Sequence, residues 1–141
     1  MRTHLISRAE ILDAISRVQE FDTYPPIDPA PQDGTYRIIP TWVGSSRVWM
    51  AQAIREDSGY EIGYASVLDG EFWYPLDEIR FGYWRDPETG VEYLDETVHV
   101  KGNYLVALNM GAYYSQIAIW DWHAMETIDV AGNVVDNRGG N

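Results

Sequence analysis

The chain has 141 residues, in which 22 Asp and Glu stand against 10 Lys and Arg, for a formal net charge of −12 at pH 7. So acidic a chain repels phosphate, which argues against nucleic acid and anionic membrane as direct partners and leaves a basic protein surface as the natural complement. Cysteine is absent, which removes disulfides, thiolate metal sites and a cysteine nucleophile together.

The length fits one domain, able to bury roughly two-thirds of the surface that its unfolded chain exposes. Six Trp, ten Tyr and three Phe within a 45% hydrophobic content supply the core. The expectation is a single globular domain over 1–136, with a frayed tail at 137–141. Met1–Ser7 lacks the apolar centre of a signal peptide, and nowhere do eighteen apolar residues run together. A soluble, cytoplasmic protein is expected.

Ser7-Arg8-Ala9-Glu10 has the form of a capping box. Behind it Ile11, Leu12, Ile15 and Val18 share one helical face, which predicts a helix over 8–20. Asp13 and Arg17 sit one turn apart on its polar side. Pro25, Pro26, Pro29 and Pro31 then block both helix and inner strand, so 21–34 reads as an extended Pro-rich strap.

From Thr35 the pattern becomes strand-like. Tyr36–Val43 ends at Gly44-Ser45-Ser46, and Arg47–Arg55 alternates and turns at Glu56-Asp57-Ser58-Gly59 into Tyr60–Leu68 as its partner. Asp69-Gly70 reads as a second hairpin turn leading to Glu71–Tyr74. Pro75–Ile79 can form one helical turn before Arg80–Arg85. Asp86–Gly90 closes a third hairpin with Val91–Leu94, and after Asp95-Glu96 the run Thr97–Lys101 alternates again. Tyr104–Met110 reads as a central strand, with a helix over 103–110 as the alternative, since a short apolar run does not settle its own type. Tyr113–Trp122 reads as a long strand, and Thr127–Val130 with Val134-Val135 as a last small hairpin. The sum is an α+β fold: an N-terminal helix packed on a curved antiparallel sheet, or partly closed barrel, of about seven to nine short strands.

Phosphate-cradling glycine loops are absent. Of the three histidines, only His123 lies close to a carboxylate. Asp121 and His123 in a strand share a face about 7 Å apart, a spacing open to a metal pair or an acid/base couple, although a polar strand end explains them as well. Carboxylate pairs at glycosidase spacing arise by accident among so many acids. No catalytic, cofactor or metal residue is assigned, and the chain is not read as an enzyme.

What remains is the distribution of charge. Residues 56–96 hold twelve acids against Arg80 and Arg85, ten of the chain's twelve net negative charges. Within this segment Phe72-Trp73-Tyr74 and Tyr83-Trp84 place aromatics beside carboxylates. Most aromatic side chains belong to the core, but strand alternation turns some of them outward. An exposed Trp among carboxylates suits an Arg-rich surface, through cation–π contact and ion pairs. Glu56, Asp57, Asp69, Glu71, Asp77, Glu78, Asp86 and Glu88, with Trp73 and Trp84 as anchors, are the expected partner-binding residues. The function expected is that of an inhibitor occupying a basic, nucleic-acid-binding surface of another protein. Phage anti-defence (anti-CRISPR-like) and immunity proteins share this physical profile. The rival is a small-molecule or carbohydrate-binding β-domain using surface tryptophans.

Overall fold

A computed structural model describes residues 3–18, 31–75 and 79–136. The elements in chain order are β1 (Thr3–Ser7), α1 (Arg8–Ser16), β2 (Gly34–Val43), β3 (Ser46–Ala53), β4 (Tyr60–Ser66), β5 (Glu71–Pro75), β6 (Arg80–Arg85), β7 (Glu92–Val100), α2 (Tyr104–Tyr113), β8 (Ala118–Asp121), β9 (Glu126–Asp129) and β10 (Val134–Asp136). The fold is α+β. An antiparallel eight-stranded sheet has the open order β10-β9-β8-β4-β7-β6-β2-β3, and β1 pairs with β5 in a two-stranded sheet. The chain divides into two compact units, 1–54 with 67–94 and 55–66 with 95–141. β7 gives its first three residues to the first unit and the remainder to the second.

In the first unit the capping box sets the start of α1. Ser7 Oγ accepts from the Glu10 N–H and Glu10 Oε1 accepts from the Ser7 N–H, each at 3.1 Å, which satisfies two groups that a bare helix end leaves open. Ile11, Ala14 and Ile15 are buried and join Ile6, Tyr36, Ile38, Trp49, Tyr74, Phe81, Tyr83 and Leu94 in one apolar cluster. The helix is shorter than the predicted 8–20, because Arg17 closes it after Ser16. The Arg17 guanidinium lies 3.3 Å from the Asp13 carboxylate and also donates to the Trp49 carbonyl, which ties the helix end to β3. Residues 19–20 of the expected helix, most of the Pro-rich strap, the turn at Pro75–Ile79 over 76–78 and the tail 137–141 lie outside the described residues.

β2 and β3 pair from Val43↔Ser46 to Tyr36↔Ala53. Alternation sends Tyr36, Ile38 and Trp49 into the core and Ile39 and Met50 outward. Two predicted hairpins are replaced by longer-range pairings. β3 does not pair with β4, since its ladder runs to β2 and it ends the sheet order, whereas β4 is flanked by β7 and β8. Nor does Asp69-Gly70 join β4 to β5. β5 pairs instead with β1, a strand not anticipated, in the register Ser7↔Glu71 to Thr3↔Pro75. The hairpin at Asp86–Gly90 forms as expected between β6 and β7.

In the second unit Tyr104–Tyr113 is helical, not a central strand. Asn103 decides this locally, because its Oδ1 accepts from the N–H groups of Leu105 (2.9 Å) and Val106 (3.2 Å) as an N-cap. Ala107 and Leu108 meet Ile62, Ile119 and Ile128 in a second core. The predicted strand Tyr113–Trp122 is therefore broken: α2 ends at Tyr113, Ser115 turns at φ 57°, and β8 begins only at Ala118. Asp95-Glu96 does not interrupt the chain either, since β7 runs straight through it. The β9–β10 hairpin forms as predicted. Asp129 accepts from the Ala131 and Asn133 N–H groups, both at 2.9 Å, and the hydrogen bonds from Asn133 lead in holding its carboxyl below the usual range. No helix among the described residues is long and apolar enough to cross a membrane.

Gly59 marks the entry to β4. Its φ is +89°, and a Cβ there would lie 2.5 Å from His99 Nε2 and 2.7 Å from the Val100 carbonyl, so both backbone and space demand glycine. Gly59→Ala is predicted to cost more than about 1 kcal/mol in urea unfolding; an unchanged midpoint would contradict this reading of the turn.

Candidate functional site

The β6–β7 hairpin of the first unit gathers three of the expected partner-binding residues, Trp84, Asp86 and Glu88. Its inner face is set by Phe81, Tyr83 and Leu94, all in the core. The strand period of two then turns Trp84 and Tyr93 outward, where their rings stack with centroids 5.5 Å apart and 25° between planes. Below them the Tyr83 hydroxyl donates to Glu92 Oε2 at 2.8 Å. Burial, then the bond to Glu92, raises the Tyr83 pKa far above the ordinary phenol value, so this hydroxyl stays a donor.

The tip itself is closed by its own hydrogen bonds. The Asp86 N–H donates to the Val91 carbonyl (2.9 Å) and the Gly90 N–H to the Asp86 carbonyl (2.8 Å). Asp86 Oδ1 accepts from the Glu88 N–H at 2.8 Å, and Thr89 Oγ1 from the Val91 N–H at 3.2 Å. Pro87 presets one turn angle, and Gly90 supplies the positive φ of 74° that ends the loop. The Arg85 N–H is held by Asp33 Oδ1 at 3.0 Å. An ordered loop thus carries half-buried Asp86 and exposed Glu88 at the tip of the hairpin whose strands bear the aromatic stack, so little ordering cost is left for binding.

The other expected residues are distributed differently. On β5, Glu71 and Trp73 face outward while Phe72 and Tyr74 face the core, and Asp69 is exposed just before the strand. Trp73 is 69% exposed. Tyr74 meets Phe81 edge-on inside the core at 5.5 Å, so Trp73 and Trp84 lie on the outer faces of two different layers of this unit. Exposed Asp57 and half-buried Glu56 belong to the second unit. Asp77 and Glu78 lie outside the described residues. Among the described residues no salt bridge holds Asp57, Asp69, Glu71 or Glu88.

The second unit holds a group that sequence reasoning did not single out. Glu61 on β4 is only 5% exposed, and each of its oxygens has a donor. Thr97 Oγ1 donates to Oε2 at 2.7 Å, and Trp122 Nε1 to Oε1 at 2.9 Å. Its cross-strand neighbours are His99 on β7 and Trp120 on β8. His99 Nε2 lies 2.9 Å from the Ser58 carbonyl, which makes that nitrogen the donor. The one signal in the sequence is a Glu set inside the apolar run Tyr60–Tyr64; its donors stand 36 and 61 positions away, too far for a local pattern to announce. Asp121 and His123, expected on one strand face, are separated by the strand's end: β8 stops at Asp121 and His123 lies in the following turn, where Asp121 Oδ1 accepts from the His123 (3.0 Å) and Ala124 (3.2 Å) N–H groups. No cluster of three or more His, Asp or Glu able to hold a metal ion occurs among the described residues.

No protein-family model matches the chain, and neither a curated protein nor a solved structure matches it.

Burial raises the carboxyl pKa of Asp95 and of Glu96 above the ordinary range, with a Ser66 hydrogen bond partly offsetting it at Asp95. The folded state therefore holds these two protons more tightly than the unfolded chain. Their contribution to stability is complete below the unfolded pKa values, about 4, and is lost as pH rises through the folded values. The double variant Asp95→Asn/Glu96→Gln is predicted to lose less stability than the parent between pH 4 and 7, as read by urea unfolding across that range. Parallel curves for the two proteins would contradict the assignment.

Proposed function

We propose that the protein is a binding protein that seats an acidic surface on a basic, nucleic-acid-binding surface of a cytoplasmic partner protein and inhibits the partner by occupying it, as anti-defence and immunity proteins do. The β6–β7 tip carries this reading. Its carboxylates stand on a loop ordered by its own hydrogen bonds, at the tip of the hairpin that carries the Trp84–Tyr93 stack. A partner's Arg can lie against such a stack while pairing with Glu88 or Asp86. Asp86 gives one oxygen to the loop, whereas the exposed Glu88 carboxylate is available for docking, where it raises the association rate and selects the partner by sign. Glu71 and Trp73 on β5 offer a second acid–aromatic pair of the same kind.

One observation favours a second reading. Trp73 presents an exposed indole, and an exposed flat indole also suits the stacking of a sugar ring, as expected of a small-molecule or carbohydrate-binding β-domain.

Capture from a lysate, washed at low and then high salt, separates the two. The immobilised protein is expected to retain a basic nucleic-acid-binding protein that salt releases. Glu88→Lys is expected to retain at least about tenfold less of it with an unchanged unfolding midpoint. Equal capture by both proteins would remove the tip from the interface. Glycan binding abolished by Trp73→Ala, with no basic protein captured, would favour the second reading.

A further inference from the structure

We infer that the outer face of α2 is a two-fold self-association surface on which a second copy of this chain docks, centred on Asn109. The observation is an absence of charge where the chain is otherwise acidic. No Asp, Glu, Lys, Arg or His occurs from Gly102 to Trp120, the longest uncharged stretch in the sequence. The face of α2 toward Ile62 and Ile119 is buried, through Ala107, Leu108 and Gly111. At 100° per residue, Leu105, Asn109 and Tyr113 form the opposite stripe. Leu105 is 66% and Tyr113 81% exposed, and Ile117 just beyond the helix is 86% exposed.

Charge selects the occupant. A basic partner finds nothing on this stripe to pair with, whereas a second copy meets it without opposing like charges, which net repulsion at −12 makes costly over the acidic parts of the chain. Area sets the strength. Leu105, Val106, Ala112, Tyr113 and Ile117 together expose on the order of 500 Å², within the usual size of the largest apolar patch on a monomer. Two copies then bury at most about 1,000 Å², the lower bound for a specific interface, so the dimer is weak.

Sequence spacing gives the geometry. Asn109 lies midway between Leu105 and Tyr113, one turn from each. Two antiparallel helices related by an axis through Asn109 place Leu105 against Tyr113 of the second copy, and the contact is self-complementary. The two Asn109 amides face each other at the axis, where each can donate N–H to the other's carbonyl. A polar pair at the centre of an apolar contact fixes register.

Sedimentation velocity over a concentration series tests this independently of the acidic tip. The expected result is a particle that moves from the 16.1 kDa monomer toward twice that mass, with a dissociation constant on the order of 10 µM. Asn109→Asp and Asn109→Lys, both at an exposed position, are each expected to raise that constant at least about tenfold alone. An equimolar mixture of the two is expected to restore the dimer, because Asp then faces Lys across the axis. A monomer at every concentration up to about 1 mM, a dimer indifferent to either substitution, or a mixture that stays monomeric would each overturn the proposal.

Discussion

Glu61 is the constraint on which the second unit depends. A carboxylate on an inner strand is costly to bury unless both oxygens find donors. Thr97 on β7 and Trp122 just past β8 provide them, one oxygen each. The requirement runs in both directions. β7 and β8 must flank β4 for the donors to arrive, and once they do, sliding either strand by one residue strands a buried charge. Register in this unit is therefore held by a polar contact as well as by the apolar cluster of Ile62, Ala107, Leu108, Ile119 and Ile128. That suits short strands, in which the apolar pattern alone defines register weakly.

The same chain keeps its other charges where they cost little. On β5 the period of two sends Phe72 and Tyr74 inward and leaves Glu71 with Trp73 in water. On the β6–β7 hairpin the fold is completed by Phe81, Tyr83 and Leu94, and by the backbone bonds of the loop. Nothing in that construction needs Glu88 to be acidic. An exposed acid of which folding makes no use is what the proposed recognition role draws on. The uncharged outer face of α2 is the converse: apolar surface that core packing does not consume.

Local signals suffice where the structure is local. Ser7 and Glu10 announce α1, Asp86-Pro87 with Gly90 announces the β6–β7 turn, and Ala131-Gly132-Asn133 announces the last hairpin. Where strand pairing is misplaced, the decisive partner lies far away in sequence. Glu56–Gly59 has good turn chemistry, yet the strand it introduces pairs with β7 and β8 rather than with β3. β1 is five residues whose identity as a strand comes from β5, some seventy positions on. α2 carries no charge on any face, so no polar side stands out, and only Asn103 marks its start. Asp95-Glu96 resembles a turn in composition, but β7 carries both acids through as partly buried residues. The expected partner-binding set was legible as composition but not as a surface, because alternation and layer assignment put Trp73 and Trp84 on different outer faces.

The most direct test of the proposed docking is the salt dependence of the dissociation constant between this chain and a basic protein recovered by the capture, measured for the parent and for Asp86→Asn/Glu88→Gln. Docking through the acidic tip predicts a constant that rises steeply with salt for the parent and less steeply for the neutralised variant, since fewer ion pairs are left to screen. Identical slopes would place the binding charge elsewhere, and a constant indifferent to salt in both proteins would contradict electrostatic docking altogether.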